Sequence, residues 1–310
     1  MPTNRSTAQM AYDPALKEVV LFGGYVSSAV GRIGQLGDTW IYRAGTWTNL
    51  TPRLNLSPPA RWGGSFAYDP QAHALLLFGG RDNYAMFRDS WYFNATGWHR
   101  HWTTVAPSAR MLATMTFDPL DGGMLLFGGL HIRGPNGTGA WNAYNDTWAF
   151  SGGRWRYLGL APISPRFSMR GFWDPAAQAV LLQGGVAGGR LQGKADLWSF
   201  SGGHWTSIAT LVSPPATSAW GCLAFDVKSG TAVLFGGQAQ YSIDRNYTWL
   251  YRSGAWVNLT RHLAPTPPAR DSCMMVYDRT DGYLFLYGGS ATASNNPQLY
   301  AGCQDSWEFA

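Results

Sequence analysis

Residues 118–155 read DPLDGGMLLFGGLHIRGPNGTGAWNAYNDTWAFSGGRW. An Asp opens the stretch, and a Gly-Gly pair (Gly128, Gly129) begins ten residues later. Two tryptophans, Trp148 and Trp155, stand seven apart with Ser-Gly-Gly between them. The same register runs through the whole chain. Asp13, Asp69, Asp118, Asp174, Asp226 and Asp278 each precede a Gly-Gly pair, at Gly23, Gly79, Gly128, Gly184, Gly236 and Gly288. Trp40, Trp91, Trp148, Trp198 and Trp249 are each followed seven residues later by Trp47, Trp98, Trp155, Trp205 and Trp256, while Trp307 has no such partner. A period of about 50 residues is that of a β-propeller blade.

Two rigid pieces recur in every unit. Apolar runs before Gly-Gly, such as Ala74–Phe78 (ALLLF) and Thr231–Phe235 (TAVLF), are bounded by turn residues and read as strands buried on both faces. The stretch Thr147–Trp155 (TWAFSGGRW) reads as two aromatic strands in a tight hairpin. Four strands per unit follow, a to d. Length varies in the b–c connection, from 8 to 16 residues between Gly-Gly and the position two before the Trp, and in the d–a connection. In an antiparallel sheet both leave from one edge, so one face gathers the variable loops, where function usually sits. The predicted fold is all-β: a six-bladed β-propeller of four-stranded antiparallel blades, one domain over residues 1–310, with blades starting near residues 5, 61, 110, 166, 218 and 270.

The last blade is expected to lack its outer strand, ending at a strand c near Asp305–Phe309. Met1–Asn4 span at most about 13 Å, too short to supply it. Such an open edge invites pairing, either with a neighbouring chain or with more of a longer surface protein.

The Gly-Gly after strand b and the spaced aromatics on c and d resemble the kelch motif, in six copies over essentially the whole chain. The local version (LLLFGG, then DTW-x-F-x-G-G-x-W) is similar to the kelch and galactose-oxidase-like propellers of secreted and surface proteins. The resemblance implies a six-bladed ring and names no activity, because propellers host many. One departure is Gln183, an amide where other blades place Phe or Tyr.

Charged residues make up 13% of the chain and aromatics 15%, and the net charge is +5. There is no run of like charge, which argues against nucleic acid as a partner. No segment reaches the length of a membrane span, and no signal peptide is visible. Eight Asn-x-Ser/Thr sequons begin at Asn4, Asn49, Asn55, Asn94, Asn136, Asn145, Asn246 and Asn258. They point to a glycosylating, extracellular or cell-surface location. Asn49 is the weakest acceptor, because Pro52 follows its Thr; at least one of Asn94 and Asn136 is expected to carry glycan. Three cysteines, Cys222, Cys273 and Cys303, leave a Cys273–Cys303 bridge feasible and buried thiols as the alternative. No metal spacing or cofactor motif occurs.

Arg5, Arg61, Arg110, Arg166 and Arg270 stand eight residues before the turn Asp, and Asp38, Asp89, Asp146, Asp196 and Asp305 two before the strand-c Trp. Unit five has Ser218 and Tyr247 at those places. Joint loss predicts an ion pair within each unit: Arg5–Asp38, Arg61–Asp89, Arg110–Asp146, Arg166–Asp196 and Arg270–Asp305. The competing reading is a ring of arginines gripping acidic ligands.

Catalysis finds little support. His73, His99, His101, His131, His204 and His262 are scattered, and no Ser-His-Asp order or phosphate loop appears. The expected function is a non-catalytic extracellular or surface glycoprotein module that binds a protein or glycan partner on its variable-loop face. Candidate contact residues there are Tyr25, Arg61, Trp62, Tyr84, Phe87, Trp141, Tyr144, Tyr241 and Tyr300. A structural building block of a surface layer or filament is the first alternative, and a secreted sugar-active enzyme of the galactose-oxidase-like type the second.

Overall fold

The computed structural model describes residues 1–26, 34–134, 139–188, 192–216, 219–239, 243–263, 265–293 and 296–309. These form an all-β structure with one short 3-10 turn at Thr51–Arg53. Five four-stranded antiparallel sheets and one three-stranded sheet carry the six sequence repeats, an arrangement consistent with a propeller. Strands a are Gln9–Asp13, Ser65–Asp69, Thr114–Asp118, Arg170–Asp174, Cys222–Asp226 and Met274–Asp278. Strands b are Glu18–Val26, Ala74–Phe78, Gly123–Phe127, Ala179–Gln183, Thr231–Phe235 and Tyr283–Tyr287. Strands c are Gly34–Arg43, Ser90–Asn94, Asp146–Ser151, Leu197–Ser201, Thr248–Arg252 and Ser306–Phe309. Strands d are Thr46–Asn49, Gly97–His101, Arg154–Leu160, His204–Ile208 and Ala255–Asn258. Among the described residues the sixth sheet has strands a, b and c only.

Each turn Asp closes the a–b hairpin by accepting from the backbone. Asp118 Oδ1 takes the N–H of Leu120 at 3.0 Å, and Asp174 Oδ1 that of Ala176 at 2.9 Å. Strand b lies at the centre of its sheet and is buried on both faces; all five residues of Ala74–Phe78 are buried. The core therefore sits between sheets. Leu76 and Phe78 of repeat two, for example, pack with Met124, Leu126, Phe150 and Trp155 of repeat three.

The Gly-Gly pair is explained by the contact between repeats. Gly79 and Gly80 have φ of +68° and +94°, and a Cβ at Gly79 would stand 2.5 Å from the Arg110 carbonyl oxygen of the next repeat. That same oxygen accepts the Gly80 N–H at 2.8 Å. The bond recurs from Gly24 to Arg61, Gly129 to Arg166 and Gly237 to Arg270, and Gly289 of repeat six donates to Arg5 of repeat one at 2.9 Å.

A second series runs two residues beyond each of these arginine positions. Thr7, Gly63, Leu112, Ser168, Trp220 and Ser272 all have positive φ, between 50° and 69°. Gly63 N–H donates to Thr7 O, Leu112 to Gly63, Ser168 to Leu112, Ser272 to Trp220, and Thr7 to Ser272. Inner strands thus neighbour one another in chain order, and the first also lies against the last.

Candidate functional site

The arginines are structural. Each is buried and reaches the Asp of its own repeat: Arg5–Asp38 at 2.7 Å, and Arg61–Asp89, Arg110–Asp146, Arg166–Asp196 and Arg270–Asp305 at 2.6 Å. Nη1 also donates to the carbonyl of the first glycine of the pair, as Arg110 does to Gly128 at 2.8 Å. The second carboxylate oxygen accepts the indole N–H two residues on, Trp148 to Asp146 at 2.8 Å. Burial acts to raise these five carboxyls. The guanidinium hydrogen bonds and charge, with the indole donor, outweigh it and hold all five below the usual range. Repeat five has Tyr247 in the Asp position, and there Trp249 Nε1 is buried without an acceptor.

This lock reassigns several of the expected contact residues. Arg61 is fully buried and ion-paired, so it has no surface to offer a ligand. Phe87 lies against the Arg61 guanidinium at 4.1 Å and Tyr144 against that of Arg110 at 4.2 Å. Both rings cover the lock. Trp62 is half-buried against the cluster of Met111, Leu130, Phe167 and Val186, and meets Tyr25 in a tilted ring contact at 5.7 Å. Tyr84 and Trp141 remain accessible, 78% and 41% exposed. Tyr241 and the side chain of Tyr300 lie outside the described residues. One residue absent from the sequence expectations joins the exposed set: Trp102, where the d–a connection of repeat two begins, is 74% exposed and stacked on Arg100 at 3.8 Å.

A second feature missed in the sequence lies among the inner strands. A cavity of about 200 Å³ is lined by the first residues of all six strands a, including Gln9, Ser65, Thr114 and Arg170. Arg170 is the one charge at a position that is otherwise Gln, Ser, Thr, Cys or Met. Its Nε donates to the Gly221 carbonyl, and no carboxylate stands within ion-pair distance among the described residues. Burial draws its pKa down to about 10, opposed by the charge of Asp271. Burial, then the charge of Asp244, pushes the Asp271 carboxyl up to about 7. Two of the guanidinium nitrogens are thus available to a small anion. Comparing the repeats at this position would have singled the residue out.

Neither the Cys273–Cys303 bridge nor a set of three buried thiols is found. Cys273 bonds Cys222, 51 residues away, because adjacent inner strands bring residues one repeat apart together. Cys303 is a free thiol, raised by burial and lowered by the nearby Arg270. It occupies the position, two before Asp305, that Phe87 and Tyr144 hold in their repeats.

Of the sequons, Asn49, Asn55, Asn246 and Asn258 are exposed, whereas Asn4, Asn94 and Asn145 are partly buried. Asn145 Nδ2 donates to the Ala161 carbonyl at 3.2 Å, and Asn136 lies outside the described residues. No helix among the described residues is long and apolar enough to cross a membrane.

No family model matches the chain, and no curated protein matches it. Among solved structures, the structure of YjhT is similar, with a TM-score of 0.71 at 15% identity over 99% of this chain and 95% of that one. At that identity the likeness carries the fold alone: an all-β, propeller-like architecture.

Proposed function

We propose that the chain is a six-bladed kelch-type β-propeller, a non-catalytic module of an extracellular or cell-surface glycoprotein that binds a protein or glycan partner through its variable-loop face. The ring is supported by the bond from Gly289 to Arg5, which repeats between the last and first units the link made between the others. The observation that carries the binding reading is the exposure of Tyr84, Trp102 and Trp141 on connections of variable length. Flat aromatic surfaces held by a rigid scaffold suit sugar rings and protein hot spots alike. Exposed Asn55, Asn246 and Asn258 fit a glycosylated surface.

A glycan array and a cell-surface binding assay with Tyr84→Ala, Trp102→Ala and Trp141→Ala test this reading. Binding is expected to fall about tenfold or more in at least one variant, with thermal stability unchanged. Binding that survives all three moves the function off this face.

A second reading rests on Arg170. The inner cavity would take a small carboxylate-bearing ligand on the Arg170 guanidinium. Arg170→Gln should then abolish any thermal stabilisation by small organic acids.

A further inference from the structure

A second, wider cavity of about 500 Å³ lies beside the inner one, on the side of the a–b turns. Met10, Phe66, Gly171, Leu223 and Met275 stand in the walls of both, so the two chambers follow one another along the inner strands. The wider chamber is aromatic. Every repeat gives it the residue before the turn Asp: Tyr12, Tyr68, Phe117, Trp173, Phe225 and Tyr277. The residue after that Asp lines its mouth, a proline in repeats one to four, Val227 in five and Arg279 in six. Val227 is 47% exposed, which puts the opening on the tight-hairpin face, opposite the variable loops.

Charge in this passage has one sign. Among the described residues its walls hold no Asp or Glu; their charges are Arg170 in the inner chamber and Arg279 at the mouth. The turn carboxylates that flank the mouth in sequence are folded into their turns. Asp13, Asp69, Asp118, Asp174 and Asp278 are at most 4% exposed, and Asp226 Oδ2 accepts from the Ser229 hydroxyl at 2.6 Å.

Building on Arg170 as a carboxylate anchor, the second of the two functional readings, we propose that this passage binds a carboxylic acid with an apolar tail. The carboxylate lies on Arg170, and the tail fills the aromatic chamber towards the tight-hairpin face. Arg170 Nε is taken by the Gly221 carbonyl, so both terminal nitrogens are left to pair with the two oxygens of a carboxylate. Ser65 and Thr114 add hydroxyls to the wall of the same chamber. A hydrophilic acid gains nothing from the aromatic walls, whereas each tail methylene buried among them leaves water. An apolar cation is repelled at both ends of the passage, and a neutral apolar molecule leaves the guanidinium without a counter-charge.

Isothermal titration of the full chain with acetate, butanoate, hexanoate and octanoate tests the tail, and octanamide tests the anchor. Affinity is expected to rise about threefold for each added methylene. Octanamide, with the same chain length and no charge, should bind at least tenfold more weakly than octanoate. Arg170→Gln should erase that difference, and Val227→Glu, which sets a like charge at the mouth, should weaken octanoate several-fold. The comparison of octanoate with octanamide on the parent protein reads the anchor even where Arg170→Gln fails to fold. Acetate and octanoate binding alike, with Arg170→Gln abolishing both, overturns the apolar-tailed ligand and leaves the carboxylate anchor standing. No binding of any of the acids overturns both. Octanoate matched by octanamide, or indifferent to Arg170→Gln, separates the aromatic chamber from Arg170 and overturns the proposal as well.

Discussion

At the scale of single residues, the arginine lock shows what repetition adds to a sequence. Pairing of Arg110 with Asp146 is legible because one repeat lost both partners together, leaving Ser218 and Tyr247 in their places. Asp146→Ala strands a buried guanidinium and should cost on the order of 3 kcal/mol in chemical denaturation. Adding Arg110→Met to that variant should recover a good part of the loss, since the uncompensated charge is gone; equal or greater loss in the double variant contradicts the buried pair. The contact residues were less legible. Phe87 and Tyr144 both stand two before the Asp, a shared register that marks them as lids on the lock, yet their aromatic character alone suggested a ligand surface. Gln183 remains a local exception. Its Nε2 donates to the Ala195 carbonyl at 3.1 Å, while its Oε1 and the Trp256 indole N–H are both buried without partners. Leu197 stands there in the slot that Thr39, Ser90 and Thr147 fill with hydroxyls.

At the scale of elements, strands and hairpins follow from the sequence because their signals are local. The a–b turn is set by its Asp, strand b by its apolar run, and the c–d hairpin by its Gly pair or Gly-x-Trp ending. Contacts between repeats are not local, and the cysteine pairing was misjudged for that reason. Glycine position separates the two kinds of constraint. Gly79→Ala meets both a positive φ and the Arg110 carbonyl, and should destabilise by about 2–3 kcal/mol. Gly152→Ala, with φ of +56° in open space, should cost about 1 kcal/mol. Equal costs in thermal unfolding would mean that the close approach between repeats contributes nothing. Reduction of Cys222–Cys273 releases a 51-residue separation and should lower stability by about 2–4 kcal/mol, read as a drop in Tm with dithiothreitol that Cys303→Ser leaves unchanged.

For the whole molecule, pH acts through two opposed sets of carboxyls. The five lock carboxyls lie below their ordinary value of 3.8, so their stabilisation is present above that value and is lost as pH falls through their folded pKa values. Asp271, pushed up to about 7, contributes in the other sense. Its stabilisation is complete below about 3.8 and is lost as pH rises through 7. Asp13, Asp118 and Asp278, raised chiefly by burial, act in the same direction as Asp271. Tm should therefore peak in mildly acidic solution. Asp271→Asn should raise it at pH 8 and leave it nearly unchanged at pH 4; no change at pH 8 would remove Asp271 from the alkaline limb.

The bond from Gly289 to Arg5 has a mechanical consequence. Between consecutive repeats the polypeptide itself crosses the junction, so a broken hydrogen bond leaves the two sheets tethered and quick to rejoin. No peptide linker crosses between repeats six and one, where Tyr287 OH reaches the Pro2 carbonyl at 2.7 Å and Gln304 Nε2 reaches it at 3.0 Å. Once that seam parts, the two sheets diffuse apart at the full span of the chain, and closure must be found again rather than merely restored. The Cys222–Cys273 staple sits one junction away and holds repeat six to repeat five while the seam is open. A series of near-identical joints between repeats therefore has a designated place to fail.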